Sequence, residues 1–200
     1  MDLLNHVVGI LTKPKNEWSV IKEEPINTIQ LFKGYIAILA LVPAIAYIIG
    51  NCIIGIKIPL GPSSYAYKVP IFYGIIYAIV TYIMAFVGIY LSAFIINALA
   101  PNFESTQNMN NALKLITFSY TPVWIASIFS IYTPLYLLGF ILSLYGLYIL
   151  YIGLEPMMGT SAQKRTVYFI VTILVVIIVF AVVGIIVSMS SFTPAHPFNY

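Results

Sequence analysis

The alternation of apolar and polar stretches divides the chain into two short amphipathic pieces followed by long uncharged runs. Residues 1–12, MDLLNHVVGILT, place Leu3, Leu4, Val7, Val8 and Leu11 at helical spacing. This predicts an amphipathic helix, too short to cross a bilayer, lying at the interface. Lys13-Pro14 breaks it. Pro14 suits the first turn of a second short helix, which Pro25 ends. Trp18 and Ile21 share one face of that second piece, and tryptophan favours the headgroup level.

The first spanning helix is predicted over about residues 31–56, uncharged between Lys33 and Lys57, with Pro43 as an interior kink. Residues 57–69 read as a loop. The second span covers about residues 70–99. In it Gly74, Ala78, Thr81, Ala85, Gly88 and Ser92 recur at alternating spacings of four and three, forming one small-residue stripe. Lipid gives helices no hydrophobic reason to associate, so small residues belong where backbones approach, and the stripe predicts a packing face. Residues 100–113 form a polar break in which Ser105 or Thr106 can cap the next helix. The uncharged run from Leu115 to Leu154 is long enough for two spans of roughly 20 residues each, with Tyr132-Thr133-Pro134 as the turn. A fifth span, rich in Val and Ile, covers about residues 166–188. The fold class is therefore an all-α integral membrane protein of five transmembrane helices with an amphipathic interfacial N-terminal segment. Three regions follow: interfacial helices over 1–30, the transmembrane domain over 31–188, and a short external tail over 189–200.

The stretch from Leu144 to Arg165 orients the whole. A Tyr-rich apolar run ends at Gly153-Leu154, Glu155-Pro156 is expected to stop the helix, and Lys164-Arg165 open the next one. With five spans, Lys13, Lys15, Lys22, Lys33, Lys114, Lys164 and Arg165 share one side, whereas Lys57 and Lys68 occupy the other. The excess of basic residues predicts a cytoplasmic N-terminus and an external C-terminus. Glu155 at a helix C-terminus is disfavoured by the helix dipole, so a local pair with Lys164 or Arg165 across the connector is expected.

Composition narrows function mainly by exclusion. The chain is 61% hydrophobic and 8% charged, a membrane composition. Its net charge of +3 is too small and scattered for a nucleic-acid surface. The single cysteine, Cys52, rules out an internal disulfide and a multi-cysteine metal site. The charged N-terminal thirty residues do not read as a signal peptide. His6 and His196 fall on opposite sides, each reading as a solvated surface histidine. Cys52 reads as a small buried residue, and Asn51 and Asn97 as polar groups near span ends. Ser119, Tyr120 and Thr121 before Pro122 mark a kink whose freed carbonyl a hydroxyl can satisfy; a broken helix of this kind is also how some transporters bind substrate. Tyr145, Tyr148 and Tyr151 read as an aromatic belt, with a tyrosine-lined groove as the functional alternative. No acid, histidine or cysteine pair occupies a span interior, so neither catalysis nor a cofactor is expected.

Three matched pieces resemble a known family. They are Lys13-Pro14-Lys15 with Trp18, Ile21 and Glu24-Pro25; Asn97 to Gln107 leading into Phe118-Ser119-Tyr120-Thr121-Pro122; and Leu144-Tyr145, Leu147-Tyr148, Leu150 to Leu154, Met157-Met158, Thr160 and Lys164. Together they resemble the Yip1 family of five-span membrane proteins in its short prokaryotic form. The resemblance implies a multi-pass protein of a prokaryotic cell membrane. Eukaryotic members face Rab GTPases in vesicle traffic, with a long cytoplasmic N-terminal region and an Asp-Leu-Tyr-Gly-Pro motif. Here Leu60-Gly61-Pro62 is at most a remnant of that motif and the N-terminal region is short, so the Rab role is not carried over.

The resulting expectation is a non-enzymatic membrane adaptor or membrane-organising protein acting through its cytoplasmic face. Its partners are the lipid bilayer and an unidentified protein at that face, with homo-oligomers allowed and no nucleic acid. The connector residues Glu155, Pro156, Lys164 and Arg165 are its candidate contact surface. A small transporter or channel is the alternative.

Overall fold

The computed structural model describes residues 2–60 and 63–190. Gly61-Pro62 and the tail residues 191–200, with His196, lie outside the described residues. Helix α1 (Leu3–Thr12) starts at Asp2, whose carboxylate accepts the Asn5 N–H. Helix α2 (Pro14–Glu23) follows, with Pro14 in its first turn where no N–H is needed. Five helices long and apolar enough to cross a membrane come next: α3 (Thr28–Ile54), α4 (Ile71–Phe103), α5 (Met109–Ile131), α6 (Thr133–Met158) and α7 (Ala162–Met189). Because successive spans alternate in direction, the α1–α2 pair, the α4–α5 connector and the α6–α7 connector share one side, here the N-terminal side.

Between α3 and α4 the chain forms two antiparallel strands where a loop was expected. β1 (Ile56–Leu60) pairs with β2 (Ser63–Tyr67), Ile56 opposite Tyr67. The β-branched and aromatic residues of Ile56-Lys57-Ile58 and Tyr65-Ala66-Tyr67 favour this conformation. Gly55, at φ +90°, makes the exit from α3 into the strand.

Helix α5 is the centre of the molecule. Its most apolar stretch is 67% buried inside the protein, against 22–33% for the other four. Neighbours reach it through glycines. A Cβ at Gly139 would lie 2.9 Å from the Ala126 carbonyl, at Gly146 2.6 Å from the Ser119 carbonyl, and at Gly153 2.8 Å from the Leu115 side chain. These three glycines of α6 recur every seven residues, two helical turns, and so fall on one face. They let α6 run backbone-close along α5.

The stripe on α4 divides between two neighbours. Gly74, Ala78, Gly88 and Ser92 are buried, whereas Thr81 and Ala85 are half-buried. Toward the strands the Cys52 sulfur sits over Gly74; nearer the N-terminal side the Phe180 ring of α7 covers Gly88, where a Cβ would fall 2.8 Å from a ring carbon. Phe180 is itself stacked on Tyr120 at 4.6 Å. Gly88→Leu is therefore expected to wedge α7 from α4 and lower stability in detergent by about 1–3 kcal/mol, the usual range for overpacking. Leu91→Ala, at a position 41% exposed, should cost little. Thermal unfolding of the two variants side by side checks this, and equal effects would count against the packing face.

Irregular turns interrupt several spans. Helix α3 breaks at Ala40, just after Leu39, whose carbonyl Pro43 cannot bond, and it widens into π-type turns over Phe32–Ile36 and Ile48–Ile54. Helix α5 is interrupted at Tyr120, two residues before Pro122, and ends in a tight 3-10 turn over Ser127–Ile131.

Helix α6 does not stop at Glu155-Pro156. It runs through Pro156 to Met158 and ends at Gly159, which takes the left-handed conformation at φ +65°. Proline removes one helical hydrogen bond, but the last carbonyls have other donors. Thr160 Oγ1 donates to Leu154 O, Asn111 Nδ2 to Met157 O and the Thr106 N–H to Met158 O. With those groups satisfied, glycine sets the end.

Candidate functional site at the N-terminal face

Helices α1 and α2 fold back onto the bundle. Trp18, expected at headgroup level, is 1% exposed. Its indole N–H donates to Ile149 O at 3.1 Å, and its six-membered ring lies where a Cβ on Gly153 would come within 2.6 Å. A large aromatic side chain can enter a helix–helix seam only where the facing position lacks a side chain, and Gly153 supplies that vacancy. Ile10 and Ile21 are fully buried beside it. The outward faces of the pair carry exposed Leu4, Val8 and Val20, apolar surface suited to the membrane interface.

Under the pair lies a polar cluster that hydrophobic periodicity could not show. His6, expected in solvent, is 4% exposed. Its Nδ1 lies 2.6 Å from Glu17 Oε1 and its Nε2 lies 2.7 Å from Glu24 Oε2. A neutral imidazole has one N–H, whereas the imidazolium has two. Only the doubly protonated ring can donate to both carboxylates at once. Gly9 makes room for this: a Cβ there would fall 2.0 Å from Glu17 Oε2.

Lys114, counted above among the basic residues of this side, is 3% exposed. Its Nζ donates to Ile21 O at 2.9 Å and to Glu24 O at 2.8 Å. It thus caps the C-terminal end of α2, where carbonyls lack helical partners and a cation is favoured. The buried lysine and the two carboxylates are thus each held by partners, as buried charged groups require.

An aromatic hub joins the cluster to the span. Phe118 meets His6 at 5.5 Å and Trp18 at 6.2 Å edge-on, and Tyr35 at 4.5 Å with the rings tilted. The Tyr35 hydroxyl pairs with Thr121 Oγ1 at 2.8 Å. Of the predicted kink, then, Thr121 is bound to α3, and Tyr120 stacks on Phe180. The Ser119 hydroxyl is buried with no hydrogen-bond partner among the described residues.

The connectors complete the face. Arg165 pairs with Glu155 and lies 5.7 Å over the Tyr151 ring, and Lys164 reaches Glu104 at 3.8 Å. Ser105 bonds Thr160 at 2.9 Å, and the cap of α5 is Asn108, not Ser105 or Thr106. Asn110 Nδ2 donates to Ile26 O at 2.8 Å. The run Asn108-Met109-Asn110-Asn111 therefore caps α5 and ties it to both the α2–α3 link and the end of α6. Three asparagines at a helix start were the available signal. For the Trp18 seat, the signal was the seven-residue recurrence of glycine in α6. Among the described residues, no group of three or more His, Cys, Asp or Glu is arranged to hold a metal ion.

Four long apolar helices around a buried central one, with an amphipathic pair docked on one side, define a multi-pass membrane protein. The Yip1 domain matches residues 8–184, and the chain belongs to that family. The inner membrane protein YohC of Escherichia coli strain K12 is 21% identical over 164 residues, covering 80% of this chain and 83% of YohC. YohC of Escherichia coli O6:H1 is similar to the same extent. No solved structure matches the chain.

Proposed function

We propose that this protein is a non-enzymatic membrane-organising adaptor that works through its N-terminal face, and that this face is cytoplasmic. One observation carries the reading. All six acids and seven of the nine basic residues fall on that side of the bundle, where hydrogen bonds fasten two amphipathic helices and both connectors to the spans. A surface so built presents exposed Lys13, Lys15, Lys22 and Glu23 in a defined arrangement, as a docking surface requires. The remaining two lysines are far fewer than this side carries, which supports a cytoplasmic assignment. The similarity to a bacterial inner membrane protein supports a prokaryotic cell membrane as its location.

A photo-crosslinking residue at Lys15 or Lys22, in cells of the source organism, is expected to capture a protein that the same residue at Phe72 does not. Lys164→Glu with Arg165→Glu is expected to reduce that capture, since each base near an anionic surface contributes roughly 1 kcal/mol. A reporter fused after Tyr200 should be active outside the cytoplasm. A reporter active in the cytoplasm, or substrate flux through liposomes without partner capture, would overturn the adaptor reading.

A further inference from the structure

On the opposite side of the bundle, a partly open cavity of about 480 Å³ lies between α3, α4, α5 and α6. Its size is within the roughly 300–1,000 Å³ typical of small-molecule sites. We infer that it is a binding site for a neutral polyhydroxylated group, such as a sugar or glycerol head. This goes beyond the adaptor reading and is independent of it, because no residue of the N-terminal face lines the cavity.

Three features of the wall point to that chemistry. First, none of the described lining residues is charged, so an ion entering from the membrane would find no counter-charge among them. Second, the polar lining is dense for a membrane interior, and much of it presents acceptors. Ser130 Oγ donates to Ser127 O at 2.7 Å, Ser143 Oγ to Phe140 O at 2.6 Å and Asn51 Nδ2 to Tyr47 O at 3.1 Å. A serine hydroxyl has one proton; spent on the backbone, it leaves lone pairs, as does the Asn51 carbonyl. Third, Tyr47 and Tyr77 stack at 3.9 Å on the wall, bringing ring faces and phenol groups that can donate. Hydroxyls both donate and accept, and the C–H faces of a polyol suit aromatic rings. Two irregular turns border the same space, the π-type turn holding Asn51 and the 3-10 turn holding Ser127 and Ser130. Such backbone is tolerated at membrane depth where it lines a polar cavity.

The polyol could arrive as a lipid headgroup or as a free solute, and the test separates these. The intact protein, purified in a detergent without sugar or glycerol groups, is mixed with monoglucosyl-diacylglycerol or with phosphatidylcholine of the same acyl chains. Bound lipid is counted by native mass spectrometry, with and without free glucose. The glucosyl lipid is expected to bind at least tenfold tighter than phosphatidylcholine. Ser127 Oγ likewise donates to the backbone, to Trp124 O at 2.5 Å, so Ser127→Ala with Ser130→Ala removes two hydroxyl acceptors and no large packing group, and should weaken the glucosyl lipid about tenfold while leaving phosphatidylcholine unchanged. Competition by free glucose would identify a soluble polyol as sufficient; no competition would assign the site to the lipid form. Equal binding of both lipids, unaffected by the double substitution, would mean that acyl chains alone fill the cavity and would overturn the inference.

Discussion

His6→Ala is expected to release the N-terminal helices from the bundle. The substitution leaves the Glu17 and Glu24 carboxylates facing each other across the space the imidazole filled. Their side chains are 13% and 26% exposed, so solvent screens them only in part. Removing one partner of a buried charge cluster costs about 3–5 kcal/mol, and partial exposure places this case toward the lower end. Hydrogen exchange in detergent should show faster exchange over residues 3–23 with α4 and α7 unchanged. Adding Glu17→Gln and Glu24→Gln to His6→Ala should restore much of the protection, because the repulsion disappears with the charges. Protection unaffected by His6→Ala would show that the cluster does not hold the pair. Loss without rescue would assign the role of His6 to packing against Phe118.

Gly153→Leu should have a comparable effect by a different route. The new side chain would have to occupy space held by the Trp18 ring and the Leu115 methyl groups. Neither can retreat freely: Trp18 is hydrogen-bonded to Ile149 O, and Leu115 lies on the fully buried stretch of α5. Expelling Trp18 forfeits a buried aromatic, about 3–5 kcal/mol when truncated. Indole fluorescence should shift to the red as Trp18 becomes wet, Trp124 remaining buried as an internal reference. Trp18→Ala combined with Gly153→Leu should cost less than the sum of the two single changes, because the second side chain fills the hole left by the first. Strict additivity would mean that the two residues do not share a site.

How much of this was legible beforehand follows from what lipid does to a sequence. Uncharged runs of more than twenty residues identify spans without any tertiary knowledge, because a charge in hydrocarbon is expensive. The five spans, the break near Pro122, the turn at Tyr132-Thr133-Pro134 and the amphipathic N-terminal pair were therefore readable one residue at a time. So was the grouping of basic residues on one side.

What an apolar residue faces was not readable, because lipid tails and protein interior are equally apolar and hydropathy cannot tell them apart. That α5 is central, and that Gly139, Gly146 and Gly153 bring α6 against it, came from the packing. The polar residues were misplaced for a related reason. A histidine in a short amphipathic helix belongs in solvent unless partners wait for it, and those partners, Glu17 and Glu24, converge only once α2 has folded back beside α1. Lys114 counts in the sequence only as one of seven basic residues on its side; its burial follows from the carbonyls of Ile21 and Glu24, some ninety residues earlier in the chain, which reach its ammonium group. Local sequence determined which segments enter the membrane. The pairing of distant carbonyls, carboxylates and ring faces determined where charge could be buried, because each such group is stable away from water only beside a partner that folding delivers.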